Sequence, residues 1–204
     1  MIARKKINSQ NRRFVTELAK ELFMRHGFLR ITMDDIAGKA GISKKTLYQY
    51  FENKDQLVNT CIGEEINQVY VDLAIILSSD IGYSEKWSHS ISLITRRSHE
   101  ADHTFYRDIL SRPKQIQYFT KKKNQVIDLV LNNFVYHKGR EQLAIMFRSF
   151  LALLLISASG QLEGIGRTAF IETIASLYGQ AYDHLEKSSV VETDPGLLKF
   201  VKVK

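Results

Sequence analysis

The stretch KKTLYQYFENKDQL, Lys44 to Leu57, gathers two lysines, a glutamine and three aromatic rings in eight residues. Read as a helix, it opens with Lys44 and Lys45, where each cation opposes the helix dipole at a cost of about 0.3–1 kcal/mol. A plain solvated helix face would carry acids in that first turn. Misplaced cations beside tyrosine point instead to an external anion that offsets the cost. On a 100° wheel Leu47 and Phe51 coincide and face inward. Lys45 and Gln49 then point most directly outward, with Thr46 and Tyr48 flanking them and Tyr50 at the edge. The chemistry on offer is anion binding and hydrogen bonding, with no bond-making group among the residues.

Other reactive residue types form no comparable constellation. His99 and His103 lie four apart, near Glu100 and Asp102, but no third ligand stands at a fixed spacing, so no metal site is expected. His89, His137 and His184 are isolated. Cys61 is the one cysteine; it excludes an intramolecular disulfide and, on an apolar stripe, reads as inert core. There is no glycine-rich phosphate loop, nucleophile elbow or metalloprotease pair. The expectation is a protein that is not an enzyme and uses no cofactor.

Charge separates two regions. Twelve of the 29 Lys/Arg and five of the 22 Asp/Glu fall between Met1 and Lys54, an excess of seven that equals the formal net charge of +7 for all 204 residues. The remaining 17 basic and 17 acidic residues cancel. A basic module joined to a neutral one implies a polyanion partner for the first quarter alone. The first thirty residues hold no apolar run of signal-peptide type, which suggests a cytoplasmic protein. Leu143 to Gly160 approaches spanning length only by including Arg148, so it reads as a helix buried by its own subunit and by a partner.

The elements that must position the lysine-rich face follow from periodicity and caps. Residues 1–10 are basic and without period and read as an irregular arm. Phe14, Leu18 and Leu22, broadened by Val15, Ala19 and Phe23, give an amphipathic helix stopped by Gly27. Thr32 and Asp35 form a capping-box start to a two-turn helix that ends at Gly41, and Ser43 caps the next. Asn53 caps a long helix over about 54–77, on the order of 35 Å, that ties the basic module to the neutral one. Helices follow over about 85–99 and 103–110, from Pro113 to an end at His137, Lys138 and Gly139, over 140–159 and over 167–186, with an irregular tail. The fold class is all-α.

Ala37, Gly41 and Leu47 carry the packing spacing of a helix-turn-helix. With them, TMDDIAGKAGISKKTLYQYFENKDQLV, Thr32 to Val58, resembles the N-terminal signature of TetR-type transcriptional regulators; the resemblance covers residues 14 to about 66. It implies residues 1–53 as a helix-turn-helix DNA-binding domain of three helices and 54–204 as a helical effector-binding and dimerisation domain. By motif position, Thr32, Thr46, Tyr48, Tyr50 and Lys54 would contact phosphates of a double-stranded palindromic operator. Lys44, Lys45 and Gln49 would lie nearest base edges, where lysine reads guanine and glutamine adenine. Asp34 sits beside the phosphate track, and Arg4, Lys5, Lys6, Arg12 and Arg13 are further candidates for DNA contact.

The same resemblance implies a homodimer, placed here on the last two helices, where Ala175 and Gly179 allow close approach. It also implies a small-molecule effector, apolar or aromatic, in a pocket for which Trp87, Tyr106, Phe119, Phe134 and Phe150 are candidates. Effector binding would change the spacing of the two DNA-reading helices and release the operator. A DNA-binding architectural or cell-cycle protein of the same fold, with no small-molecule input, is the alternative; a core without a cavity would favour it.

Overall fold

Local hydrogen bonds at the helix ends establish the N-terminal module. Thr32 Oγ1 accepts the Asp35 N–H at 3.1 Å, and Asp35 Oδ2 accepts the Thr32 N–H at 2.8 Å. This capping box starts α2 (Met33–Ala40). Gly41 closes it at φ 65°, a left-handed conformation that costs a residue with a side chain about 1–2 kcal/mol. Ser43 Oγ accepts the Thr46 N–H at 3.0 Å to start α3 (Lys44–Tyr50). Asn53 Oδ1 accepts the Gln56 N–H at 2.8 Å to start α4 (Lys54–Ser78).

The computed structural model describes residues 2–134, 140–161 and 166–190. Within them α1 spans Ile2–His26, α5 Tyr83–His99, α6 His103–Ser111, α7 Pro113–Asn133, α8 Arg140–Ala158 and α9 Arg167–Val190. The described residues are helices and their connections, without a strand. The expected end of α7 at His137 to Gly139 lies outside the described residues, as does the tail from 191 onward.

Three sequence expectations change. Residues 2–10 continue α1 and are not an irregular arm. They lack an apolar stripe, but they also lack glycine and proline, and Ala, Arg, Lys and Gln are strong helix formers. The buried stripe of α1 is Val15, Ala19, Leu22 and Phe23, while Phe14 is 55% exposed, so the inner face is rotated from the one centred on Phe14. At the other end α9 runs four residues beyond the expected stop at Glu186.

Two apolar clusters form the interior. The first joins α1, α2, α3 and the start of α4, with Leu47 and Phe51 fully buried at its centre. It also takes in Ala101, and Phe105 and Ile109 from α6. The second joins the distal half of α4 with α5, α7, α8 and α9 around Trp87, Phe134, Phe147 and Phe150. Ile66 of α4 packs against both. α8 is long and apolar enough to cross a membrane by composition, yet its Leu143, Phe147, Phe150 and Leu154 are buried in the second cluster. Ile145 and Leu177, 67% and 60% exposed, lie on α8 and α9.

Candidate nucleic-acid interface and effector cavity

The outer face of α3 presents Lys44, Lys45, Tyr48 and Gln49, all exposed, with Thr46 and Tyr50 partly buried at its margins. Leu47 and Phe51 hold the opposite face. Arg12 of α1 braces the end of this helix: its guanidinium lies 4.7 Å from the centre of the Phe51 ring and Nε donates to the Tyr50 carbonyl at 3.4 Å. Arg13 pairs with Glu17 at 3.0 Å. Two of the basic residues near the N-terminus thus have structural partners. The side chains of Arg4, Lys5 and Lys6 lie outside the described residues.

The two opening lysines of α3 differ. Lys44 Nζ lies 2.8 Å from Asp34 Oδ1, so an internal carboxylate offsets its position at the helix start. The hydrogen bond and charge of Asp34 raise the Lys44 pKa. No ion pair engages Lys45 among the described residues. Thr32, besides capping α2, remains exposed at the edge of the same surface. Lys54 is partly buried where α4 begins; its Nζ donates to the Leu29 carbonyl at 3.5 Å, and burial lowers its pKa.

Behind this surface the α1–α2 connection is clamped to α6. Gly27 turns the chain at φ 74°, and a Cβ there would come within 2.6 Å of Asp108 Oδ2. That same oxygen accepts the Leu29 N–H at 2.8 Å. The Asp102 N–H donates to the Met24 carbonyl at 2.7 Å. Rings continue the contact, with Phe105 against Phe28 and Phe28 against Phe23, both edge to face at 6.3 Å.

On the far side of α6 lies a cavity of about 130 Å³ between α4, α5, α6, α7 and α8. Its walls are largely apolar; Phe105 and Ile109 line it while also belonging to the core beneath α2 and α3. Of the five aromatic candidates, Tyr106 and Phe119 line it. Trp87, Phe134 and Phe150 do not. They pack in the second core, where Trp87 stacks on Tyr182 at 5.6 Å, meets Phe134 edge to face at 5.8 Å, and donates from Nε1 to the Tyr178 carbonyl at 2.8 Å. Sequence reasoning missed the polar wall: Glu65, Arg97, Ser98 and Lys123. Lys123 ends a run of three lysines, a pattern that reads as a solvated face.

Cys61 is buried, donates to the Thr16 carbonyl at 3.6 Å and has its pKa raised by burial, as an inert core thiol should. His103 Nδ1 lies 3.2 Å from Asp102 Oδ1. Among the described residues, no three His, Cys, Asp or Glu come close enough to hold a metal.

Residues 15–61 match the family model of bacterial regulatory proteins, tetR family. The N-terminal module is that of a TetR-family regulator. Sequence carries this for residues 15–61, and beyond them the likeness is one of fold. The Transposon Tn10 TetC protein of Escherichia coli is 31% identical over 70 residues. That match spans 34% of this chain and 34% of the relative. A Mesorhizobium loti protein assigned to the TetR family superposes with a TM-score of 0.70 at 19% identity, over 87% of this chain and 97% of its own. A transcriptional regulator of Saccharomonospora viridis, solved in complex with choline, superposes with a TM-score of 0.67 at 14% identity, over 86% and 97%. At such identities the superpositions establish the fold.

Proposed function

We propose that the chain is a cytoplasmic repressor that binds a palindromic operator as a homodimer and is released by a small-molecule effector. Residues 1–53 serve as the DNA-binding domain and 54–204 as the effector-binding and dimerisation domain. Thr32, Thr46, Tyr48, Tyr50 and Lys54 hold phosphates, while Lys44, Lys45 and Gln49 face base edges. The last two helices form the dimer contact through a surface that includes Ile145 and Leu177, whose exposure suits a covered apolar face.

One observation carries this reading: Phe105 and Ile109 are at once cavity wall and core of the DNA-binding module. A ligand that displaces α6 must disturb the packing beneath α2 and α3, and the Asp108 and Asp102 hydrogen bonds transmit the same movement. Half-sites sit about 34 Å apart, so a small shift in the module's seating abolishes simultaneous docking. Differential affinity of the ligand for the two arrangements supplies the energy. The cavity also favours an effector-responsive protein over an architectural one.

Selection of duplexes from a random DNA pool tests the reading. An enriched inverted repeat bound by two protomers is expected. Binding without sequence preference, or by a monomer to a single half-site, would overturn it.

A further inference from the structure

The charges around the cavity identify the kind of molecule it takes. Glu65 lines the cavity, but two cations already face it: Lys20 Nζ at 3.4 Å from Oε2 and Arg97 Nη1 at 3.7 Å from Oε1. Arg97 is held further by Asp72 at 2.8 Å and Glu100 at 3.1 Å. The Ser98 hydroxyl donates to the Thr95 carbonyl at 2.7 Å. All three are engaged within the protein, Glu65 through two ion pairs although its buried Oε1 accepts no hydrogen bond. Lys123 of α7 is the exception. It is partly buried at the cavity wall and has no ion pair or hydrogen bond among the described residues. Burial lowers its pKa, and the charge of Arg148 on α8, another cation, lowers it further.

A partly buried ammonium beside a second cation, facing an apolar void, is unfavourable until an anion arrives. We propose that the effector is a monoanion whose carboxylate pairs with Lys123 and whose apolar body, about the size of one aromatic ring, fills the cavity against Phe105, Phe119 and Ile109. The size follows from the volume: the cavity holds about 130 Å³, and an apolar protein cavity of about 150 Å³ accommodates benzene. This deepens the reading above and rests on the cavity being the effector site.

Calorimetry on the full chain with phenylacetate, phenylacetamide, phenethylamine, choline and acetate separates the possibilities. Phenylacetate is expected to bind at least about tenfold tighter than the amide, the least that one charge-assisted hydrogen bond supplies, and tighter than the amine, choline or acetate. Lys123→Gln should bring phenylacetate down to the affinity of the amide, and Arg148→Gln should reduce it less. Circular dichroism confirms that both variants fold. No binding of phenylacetate, equal binding of amide or amine, equal binding of acetate, or a preference unchanged in Lys123→Gln would each overturn the proposal. Operator release is measured separately. If phenylacetate binds as expected without releasing DNA, the ligand class stands and the effector reading fails. If an amine or choline releases DNA and phenylacetate does not bind, the effector reading stands and the anion proposal fails.

Discussion

Asp108 and Lys54 hold Leu29 from two sides. Asp108 Oδ2, on α6, accepts the Leu29 N–H at 2.8 Å, and Lys54 Nζ, at the start of α4, donates to the Leu29 carbonyl at 3.5 Å. The residue that leads the chain toward α2 is thereby shared between the helix that lines the cavity and the helix that links the two apolar clusters. Asp108→Ala would remove the acceptor of the part-buried Leu29 N–H, at a cost of about 1 kcal/mol. Gly27→Ala would add left-handed strain and a contact with the same carboxylate. We expect each to lower the midpoint of urea unfolding. We also expect the double variant to lose less than the two losses combined, because removing the carboxylate relieves the contact.

The Asp34–Lys44 pair restrains a cation on the surface assigned to DNA. Asp34→Asn should strengthen binding to all duplexes several-fold and steepen the salt dependence, since it removes a carboxylate that repels the DNA polyanion and neutralises Lys44. Lys54→Ala should do the reverse, flattening the slope by about one unit per half-site. Fluorescence anisotropy across a salt series reads both.

Asp72 and Arg97 tie α4 to α5 at 2.8 Å. The Arg97 hydrogen bond, aided by Gln68, holds the Asp72 pKa below its ordinary 3.8. A carboxylate whose folded pKa is depressed contributes stability that is present above the unfolded value and lost as pH falls through the folded one. The contribution is therefore intact above about pH 4 and disappears below it. Being partly exposed, the pair is worth about 1 kcal/mol or less. Asp72→Asn should reduce stability at pH 7 by that amount and by progressively less as pH falls below about 4, as read by thermal unfolding.

Trp87 and Phe119 distinguish core from cavity. Trp87→Ala should cost about 3–5 kcal/mol of stability, as for other large buried rings. Phe119→Ala, at a partly buried position, should cost much less while weakening whatever binds the cavity. Denaturant unfolding followed by circular dichroism gives the first comparison and ligand titration the second.

What was legible in the sequence was local. The caps at Thr32, Ser43 and Asn53 and the turn at Gly41 lie within three or four residues of the groups they bond, so short patterns suffice. The outward placement of Lys45 and Gln49 follows from Leu47 and Phe51 on the same short helix. α1 before residue 11 escaped because periodicity reports a buried stripe, and that segment has none to show. The cavity escaped for a different reason. Its walls come from five helices, and whether an aromatic ring packs in the core, like Phe134, or lines the void, like Phe119, depends on contacts far apart in the chain. Lys123 has the same composition around it as a solvated lysine, and only its neighbours across the bundle distinguish it.

The central claim is that the outer face of α3 reads DNA sequence. Selecting sites from one random duplex pool with the wild-type protein and with Gln49→Ala and Lys45→Ala tests it most directly. Wild type should enrich an inverted repeat. Each variant should retain the repeat but lose preference at one base pair in each half-site, at a cost of about 1–3 kcal/mol for the favoured base. If both variants enrich the same sequence as wild type with undiminished preference, α3 is not the reading element and the claim is contradicted.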